Sequence, residues 1–310
     1  MKYNELLIYL REELNIKQVD IFTDISSKSS YRKIESGEKS PTIDELISFC
    51  DRLGIRFQEF LGQANLLEQP DTFFGKHKVQ LIDIAKNEKD YKKLFESYYQ
   101  LRFQNIQYYS LFISSLAIAR SCGYDFHTFN HNDIKELEKF YAKRTSFLGV
   151  DYEIYCNLFL VTKYSYFEFL TEKLFPVTES KDKIHDSSVQ MALNNAISVH
   201  LTDKRYDLAN ECLLEFDKLR HLPGFHMHTL TNLQVLYLKH VYNFLTKRNI
   251  EEYLNALKIV NMFYDLGEYD IYRVTFEEVS NIASQENFET PKAKEMLTSD
   301  MSSKMNTVIE

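Results

Sequence analysis

The residues best suited to chemistry in this sequence are the hydroxyls and long basic side chains of one short polar segment. Residues 26–41 read SSKSSYRKIESGEKSP, in which only Tyr31 and Ile34 could face a core. Lysine and arginine donate charge-assisted hydrogen bonds to phosphate oxygens, and serine hydroxyls donate and accept at the edges of bases. The segment therefore carries the side chains that a nucleic-acid surface requires.

Reactive groups of other kinds do not form a recognisable site in the sequence. It contains no GxxxxGK[ST], HExxH, GxSxG or GxGxxG motif. His226 and His228 would point about 200° apart on a helix, and we interpret them as loop or cap residues. The cysteines have no CxxC spacing and predict neither a disulfide framework nor a zinc site. These cysteines are Cys50, Cys122, Cys156 and Cys212. We expect no enzyme, no cofactor and no bound metal.

Length and charge limit what the polar segment can belong to. A chain of 310 residues is long for a single domain, so we expect one small and one large domain. The net charge of −8 argues against a nucleic-acid coat over the whole surface but leaves room for a local basic face. The sequence has no run of 18 apolar residues and no apolar signal region. We expect a cytoplasmic protein without a membrane partner.

Five short helices are predicted around the polar segment. They span 4–14, 17–23, 28–35, 43–53 and 57–61. Asn4 and Ser27 are placed to cap the first and third of them. Thr42 and Glu45 have the spacing of a capping box, in which each side chain satisfies a backbone donor of the fourth helix. Gly37 suits the left-handed conformation in which a helix often ends.

The tight turn between the second and third helices predicts a helix-turn-helix. In this motif the second helix of the pair enters the major groove of DNA. Gln18 begins the preceding helix, where its amide and the helix dipole favour a phosphate. The predicted DNA-contacting residues are Lys17, Gln18, Ser27, Lys28, Ser29, Ser30, Arg32, Lys33 and Lys39.

Residues 4–62 resemble the lambda-repressor-like, or Cro/C1, family. The resemblance lies in Gln18, in Ile34-Glu35-Ser36-Gly37, in Pro41 and in the following IDELISFCDRLGI. It departs in the turn, which reads DISS where the family usually has a glycine. The resemblance implies operator DNA as a partner.

A weak positive charge leaves an alternative open for this small domain. Residues 1–66 contain nine Lys and Arg against eleven Asp and Glu. Affinity for DNA follows the number of phosphates neutralised, so one such domain would bind feebly. A dimer would present two helices about 34 Å apart, one turn of DNA. The alternative is a helical scaffold whose small domain does not bind DNA.

The rest of the chain predicts an all-α fold in which a TPR-like α-solenoid follows the small domain. Residues 67–77, with Pro70 and Gly75, are the predicted linker. Amphipathic segments separated by short breaks then run through 78–284, and 285–310 is the predicted C-terminal tail. The predicted helices span 78–99, 104–121, 132–144, 150–160, 163–174, 186–201, 205–220, 228–246, 250–266, 270–284 and 291–300.

Three asparagines of the solenoid are candidates for binding an extended peptide. Asn157, Asn195 and Asn232 each lie in a predicted helix of a different pair. An asparagine amide both donates and accepts, as the backbone of a bound peptide requires. Each one alone is more commonly an ordinary surface or cap residue, so the hypothesis concerns the set.

Over nearly its whole length the chain also resembles the pheromone-receptor repressors of enterococcal conjugative plasmids, the PrgX and TraA type. The segments concerned are REELNIKQVDIF, SSKSSYRKIES, KRTSFLGVDYEI, NNAISVHL and YLNALKIVNMF, which begin at residues 11, 26, 143, 194 and 253. This resemblance implies a homodimer made through the body, dimers that pair into tetramers, and a bound short hydrophobic peptide. It further implies that 285–310 rearranges with the ligand. An activator of the Rgg type, built from the same parts, remains an alternative to a repressor.

Overall fold

The computed structural model describes residues 2–64, Leu66, 80–81 and 83–286, and all regular secondary structure in these residues is helical. The chain divides into two compact units, Met1–Ile84 and Ala85–Glu310. The predicted linker 67–77 and most of the predicted tail lie outside the described residues. The boundary near residue 66 therefore stays a prediction.

The first unit, called the head below, is built on five short helices. They are α1 (Tyr3–Glu13), α2 (Gln18–Phe22), α3 (Lys28–Glu35), α4 (Ile43–Leu53) and α5 (Phe57–Gln63). α1 packs on α3, α2 packs on α3 and α4, and α4 packs on α5. Tyr31 and Ile34 are fully buried, as predicted, together with Ile21 and Phe49. This core holds the opposite face of α3 towards solvent.

Local hydrogen bonds explain where the head helices begin and end. The Ser27 hydroxyl accepts from the backbone N–H of Ser30 at 3.1 Å, so Ser27 caps α3 as predicted. The Thr42–Glu45 capping box is also confirmed, with bonds of 2.8 and 3.1 Å. The prediction for Asn4 is wrong. Lys2 precedes α1, and the Asn4 amide donates to the Glu35 carbonyl at 3.2 Å.

The second unit, called the body, contains ten described α-helices. They are α6 (Glu88–Leu101), α7 (Ile106–Ser121), α8 (His131–Tyr141), α9 (Gly149–Val161), α10 (Glu168–Leu174), α11 (Lys183–Thr202), α12 (Tyr206–Leu219), α13 (Thr229–Lys247), α14 (Ile250–Asp265) and α15 (Tyr269–Gln285). A 3₁₀ turn, Tyr164–Tyr166, precedes α10. The predicted helix 291–300 lies outside the described residues.

Alternate helices of the body form one continuous row. α7 packs on α9, α9 on α11, and α11 on α13. α6 covers α7, α12 covers both α11 and α13, and α14 covers α13. The Tyr155 hydroxyl of α9 is 2.9 Å from the Thr171 hydroxyl of α10, so α10 covers α9. This alternation of row and cover is the arrangement of an α-solenoid.

The first turn of α9 is organised by a buried carboxylate. Asp151 is fully buried and accepts from the Leu148 backbone N–H at 2.7 Å and from the Tyr141 hydroxyl at 2.9 Å. The Arg144 guanidinium binds both of its oxygens, with Nη2 at 2.8 Å. Because a buried charge is tolerated only when it is paired and hydrogen-bonded, these three donors account for Asp151 in the core.

Candidate nucleic-acid interface and peptide groove

The exposed face of α3 combines basic and hydroxyl side chains. Lys28, Ser29, Arg32 and Lys33 are all exposed, while Tyr31 is buried on the opposite side. No carboxylate among the described residues pairs with these three cations. A charge that has no internal partner remains available to an external anion, so this face can contact phosphates and base edges.

Glu35 holds α3 in place from the inside. Its side chain is only 8% exposed, and one carboxylate oxygen accepts from Arg11 Nε of α1 at 2.9 Å. The other oxygen accepts from the Gln18 side-chain N–H of α2. One carboxylate therefore joins α1, α2 and α3. The sequence analysis missed Arg11 and this role of Glu35. The available signal was an acid on the same helical face as Tyr31 and Ile34, where a charge requires a partner.

Two residues of the predicted DNA-contacting set are engaged within the head. Lys39 Nζ donates to the Ser30 hydroxyl at 2.7 Å and lies 3.4 Å from a Glu45 carboxylate oxygen. The Thr42 backbone N–H, and then Lys39, hold the pKa of Glu45 below its ordinary value. Lys39 thus ties α3 to the start of α4.

The two predicted residues at the start of α2 differ in their surroundings. Lys17 precedes the helix and is exposed. Gln18 is half-buried, and its amide nitrogen is bound to Glu35. A side-chain amide has two N–H groups, so Gln18 retains one for a phosphate. The proposed DNA contacts of all nine residues remain predictions.

The row of body helices keeps one partly exposed stripe on each helix. We call these stripes together the open face. Its polar members are Ser114 on α7, Asn157 on α9, Asn195 and Ser198 on α11, and Asn232 on α13. Its most exposed apolar members are Leu160, Met191 and Leu236.

The structure places the three predicted asparagines on three neighbouring helices of the row. The Asn157 amide donates to the Ser114 hydroxyl at 3.1 Å. Asn195 hydrogen-bonds the Cys156 thiol, whose pKa burial raises to about 12. Asn232 Oδ1 is buried and has no hydrogen-bond partner among the described residues. The open face thus offers amide groups beside apolar side chains.

The described residues contain no group of three or more His, Cys, Asp or Glu that is arranged to hold a metal ion. His228 immediately precedes α13, in agreement with its interpretation as a loop or cap residue. None of the helices in the described part of the chain is both long and apolar enough to cross a membrane.

Comparison with known proteins relates both units to characterised families. Residues 95–282, more than half of the chain, match the family described as "Pheromone cCF10 receptor, C-terminal TPR region". Residues 7–60 match a helix-turn-helix family. The transcriptional repressor RstR of the cryptic phage CTXphi of Vibrio cholerae serotype O1 is 33% identical over 84 residues, which are 27% of this chain and 75% of RstR.

Solved structures extend the likeness over nearly the whole chain. The PrgX/iCF10 complex is 32% identical with a TM-score of 0.88, and the match covers 94% of this chain and 99% of that one. The structure of PrgX alone is 32% identical with a TM-score of 0.88, covering 96% and 99%. The Streptococcus dysgalactiae pheromone receptor Rgg2, at 15% identity, covers 90% and 99% and shares the fold, with a TM-score of 0.68. The match to the pheromone-receptor family covers more than half of the length of this chain. This chain therefore belongs to the pheromone cCF10 receptor family.

Proposed function

We propose that this protein is a transcriptional regulator that binds operator DNA through its head and responds to a short hydrophobic peptide bound by its body. The observation that carries the proposal is the exposed face of α3. There Lys28, Arg32 and Lys33 have no carboxylate partner among the residues that the structure describes, in a chain whose body matches a pheromone-receptor family. The regulator acts in the cytoplasm, and no catalytic step is part of this function.

The geometry of α3 supports its proposed binding to DNA. Ser27 caps the helix. The Glu35 cluster, in which Arg11 and Gln18 bind the buried Glu35 carboxylate, sets the orientation of α3 against α1 and α2. The N-terminal residues of such a helix reach base edges, while Arg32 and Lys33 neutralise phosphates. Because one head carries few unpaired cations, a homodimer supplies the affinity by placing two α3 helices one DNA turn apart.

The chemistry of the open face supports the proposed binding of a peptide there. A bound peptide needs its backbone N–H and C=O groups satisfied, and the amides of Asn157, Asn195 and Asn232 offer both functions. Leu160, Met191 and Leu236 supply apolar contact for its side chains. PrgX, which this chain resembles over almost its full length, has been solved with the peptides iCF10 and cCF10.

The two events are coupled by a shift of populations. A peptide that binds one arrangement of dimers and tetramers better than another displaces the balance between them, and operator occupancy follows. The likeness to the repressor RstR supports repression rather than activation of the Rgg type. The genes that we propose it represses are those of conjugative transfer. The predicted tail 285–310 is the proposed segment that rearranges with the ligand.

The DNA proposal is tested by removing charge from α3 in the full chain. In Arg32→Ala/Lys33→Ala we expect at least a tenfold loss of affinity for DNA upstream of the gene, measured by fluorescence anisotropy. The matched control is Arg52→Ala/Arg56→Ala, which removes two exposed cations elsewhere in the head, one on α4 and one immediately before α5. Equal losses in both variants, or no loss in the first, would contradict the assignment of α3.

The peptide proposal is tested with cCF10 and iCF10 as probes in isothermal titration calorimetry. We expect binding to the wild-type chain and at least a tenfold loss in Asn195→Ala, because the peptide backbone loses a partner in a desolvated site. Asn261→Ala changes the same residue type on the exposed side of α14 and should leave binding intact. If neither probe binds the wild-type chain, the peptide class is wrong.

A further inference from the structure

A small cavity lies in the body where α15 crosses the end of the open face. It has a volume of about 150 Å³. Its apolar wall comes from Leu201, Leu245 and Ile282, and its polar wall includes Thr202, Glu278 and Asn281 together with the ion-paired Lys204 and Glu286. A space of this size holds one small group, such as the terminal residue of a longer ligand.

Glu278 is an acidic residue in the wall of this cavity. Its carboxylate accepts from the Ser198 hydroxyl of α11 at 2.6 Å and from the Tyr237 hydroxyl of α13 at 3.0 Å. No Lys, Arg or His among the described residues forms an ion pair with it. Burial raises the pKa of Glu278 above its ordinary value, against the opposing effect of these two hydrogen bonds. The site therefore favours a group that brings positive charge.

The two nearby cations, Lys204 and Arg248, form ion pairs with a different acid, Glu286. Glu286 lies 3.0 Å from Lys204 Nζ and also binds Arg248. Hydrogen bonds from Lys204 and Arg248 lower the pKa of Glu286, in contrast to Glu278. Glu278 on α15 and Glu286, which immediately follows this helix, thus meet opposite surroundings, and of the two only Glu278 is left with hydroxyl donors alone.

The cavity continues the open face. Ser198, which binds Glu278, lies one helical turn beyond Asn195 on α11, and Thr202 follows after one more turn. A peptide lying along Asn195 would therefore have one of its ends at Glu278. A terminal carboxylate would be repelled there, whereas a terminal ammonium would supply up to three N–H donors and a compensating charge.

We propose that the cavity at Glu278 binds a primary ammonium, namely the N-terminal α-amino group of the peptide, with the side chain of its first residue against Leu201, Leu245 and Ile282. This assignment rests on the proposed function, since it orients the peptide on the open face. It requires a peptide with a free N-terminus and an apolar first residue.

The first test uses a fragment of such a terminus. L-Valinamide carries a free ammonium, and N-acetyl-L-valinamide lacks it. In ligand-observed NMR titrations of the full chain we expect L-valinamide to bind at least tenfold more tightly than the acetylated compound. Failure of L-valinamide to bind the wild-type chain, or equal binding of both compounds, would overturn the proposal without any variant.

The second test assigns the binding to Glu278. Glu278→Gln retains a side chain that can hydrogen-bond Ser198 and Tyr237 but removes the charge, and we expect it to abolish the preference for the free amine. Glu277→Gln removes the same charge from the exposed neighbour on α15 and should keep the preference. A preference that survives in Glu278→Gln would place the ammonium elsewhere.

The two proposals fail in different ways when cCF10 with a free or acetylated N-terminus is titrated. Equal affinity of both forms for the wild-type chain would overturn the ammonium site and leave peptide binding standing. Loss of at least tenfold on acetylation, absent in Glu278→Gln, supports both. Absence of binding by either form, while L-valinamide binds, would overturn the peptide class and keep the ammonium site.

Discussion

At the scale of single residues, Glu35 has the largest structural role in the head. It is buried, and its two oxygens are bound by Arg11 of α1 and Gln18 of α2. Removal of one partner from a buried ion pair leaves an uncompensated charge, which costs far more than an exposed pair contributes. The orientation of α3 therefore depends on contacts made on the side opposite its exposed basic face.

We predict that Arg11→Ala lowers the stability of the head by about 3 kcal/mol. The reason is that the Glu35 carboxylate would stay buried with only Gln18 as a donor. Amide hydrogen exchange of α1 and α3 in the full chain measures the change. Arg52→Ala, an exposed cation, serves as the control and should change protection by less than about 0.5 kcal/mol. Equal effects would refute the importance of the Glu35 cluster.

Two glycines of the head allow backbone strain to be separated from crowding. Gly37 and Gly54 have φ of +77° and +72°, a conformation that costs an L-residue roughly 1–2 kcal/mol. A Cβ at Gly37 would also lie 3.2 Å from Asn4 Nδ2, whereas one at Gly54 meets nothing within 4 Å. Urea unfolding should therefore show a greater loss for Gly37→Ala than for Gly54→Ala. The reverse order would exclude crowding at Asn4.

His200 predicts a loss of body stability on acidification. It is fully buried against Phe159 and Tyr164, next to Arg205, and burial lowers its pKa to about 4. Between pH 6.5 and 4 the unfolded chain binds a proton that the folded chain does not, so stability falls as the pH falls through this window. The free energy of unfolding, measured with urea at pH 7 and at pH 4.5, should decrease on acidification in the wild-type chain. In His200→Phe this decrease should be smaller by about 2 kcal/mol. An unchanged loss would contradict the assignment.

Residue roles in the head were only partly predictable. Ser27, Thr42 and Gly37 act through their own neighbours in the chain, so their positions could be inferred from spacing. Asn4 and Gln18 bind Glu35, which is 31 and 17 residues away. Contacts of this separation depend on how helices pack, and local pattern does not encode them.

At the scale of elements, the row helices differ from ordinary surface helices. α7 and α9 are buried on most sides, because covering helices and row neighbours enclose them. A helix that is apolar all round has no periodic stripe to mark its exposed face. Its existence and length were therefore predictable from sequence, whereas the face carrying Asn157 was not.

Two predicted helix boundaries differ from the structure because a cap or a break interrupts the apolar pattern. The predicted helix 78–99 ran through Asn87 without a break. In the structure the Asn87 side chain accepts from the Asp90 N–H at 3.3 Å, and α6 begins at the next residue. The predicted helix 163–174 is divided, because the backbone at Phe167 leaves the helical conformation between the 3₁₀ turn and α10. Periodicity alone does not detect such caps and breaks.

We predict that Asp151→Asn destabilises the body by about 3 kcal/mol. The substitution leaves Arg144 without its buried counter-charge and weakens the bonds from Tyr141 and Leu148 at the start of α9. Urea unfolding of the full chain measures the loss. Asp270→Asn changes an almost fully exposed acid, 3.5 Å from Arg273, and should have little effect. Similar results for both variants would remove Asp151 from the organisation of α9.

At the scale of the whole molecule, the two units have separate tasks. In the proposed function the head presents α3 to DNA, and the body, which matches a pheromone-receptor family, presents the open face to the peptide. Population shift requires only that the peptide distinguish two assemblies, and a coupling of about 1–3 kcal/mol changes operator affinity roughly 5–150-fold. The family resemblance predicted this division, whereas the placement of the cavity at Glu278 needed the structure.

Arg11 and Lys39 each lie beside a carboxylate of the head, which limits how strongly DNA binding can depend on ionic strength. Four exposed cations remain near the predicted DNA face of each head, namely Lys17, Lys28, Arg32 and Lys33. Each neutralised phosphate releases counterions and contributes about −0.9 to the slope of log affinity against log salt concentration. A dimer should therefore show a slope of about −7, falling to about −3.6 in Arg32→Ala/Lys33→Ala. Such a steep response would make the potassium concentration around the DNA a determinant of how long an operator stays occupied.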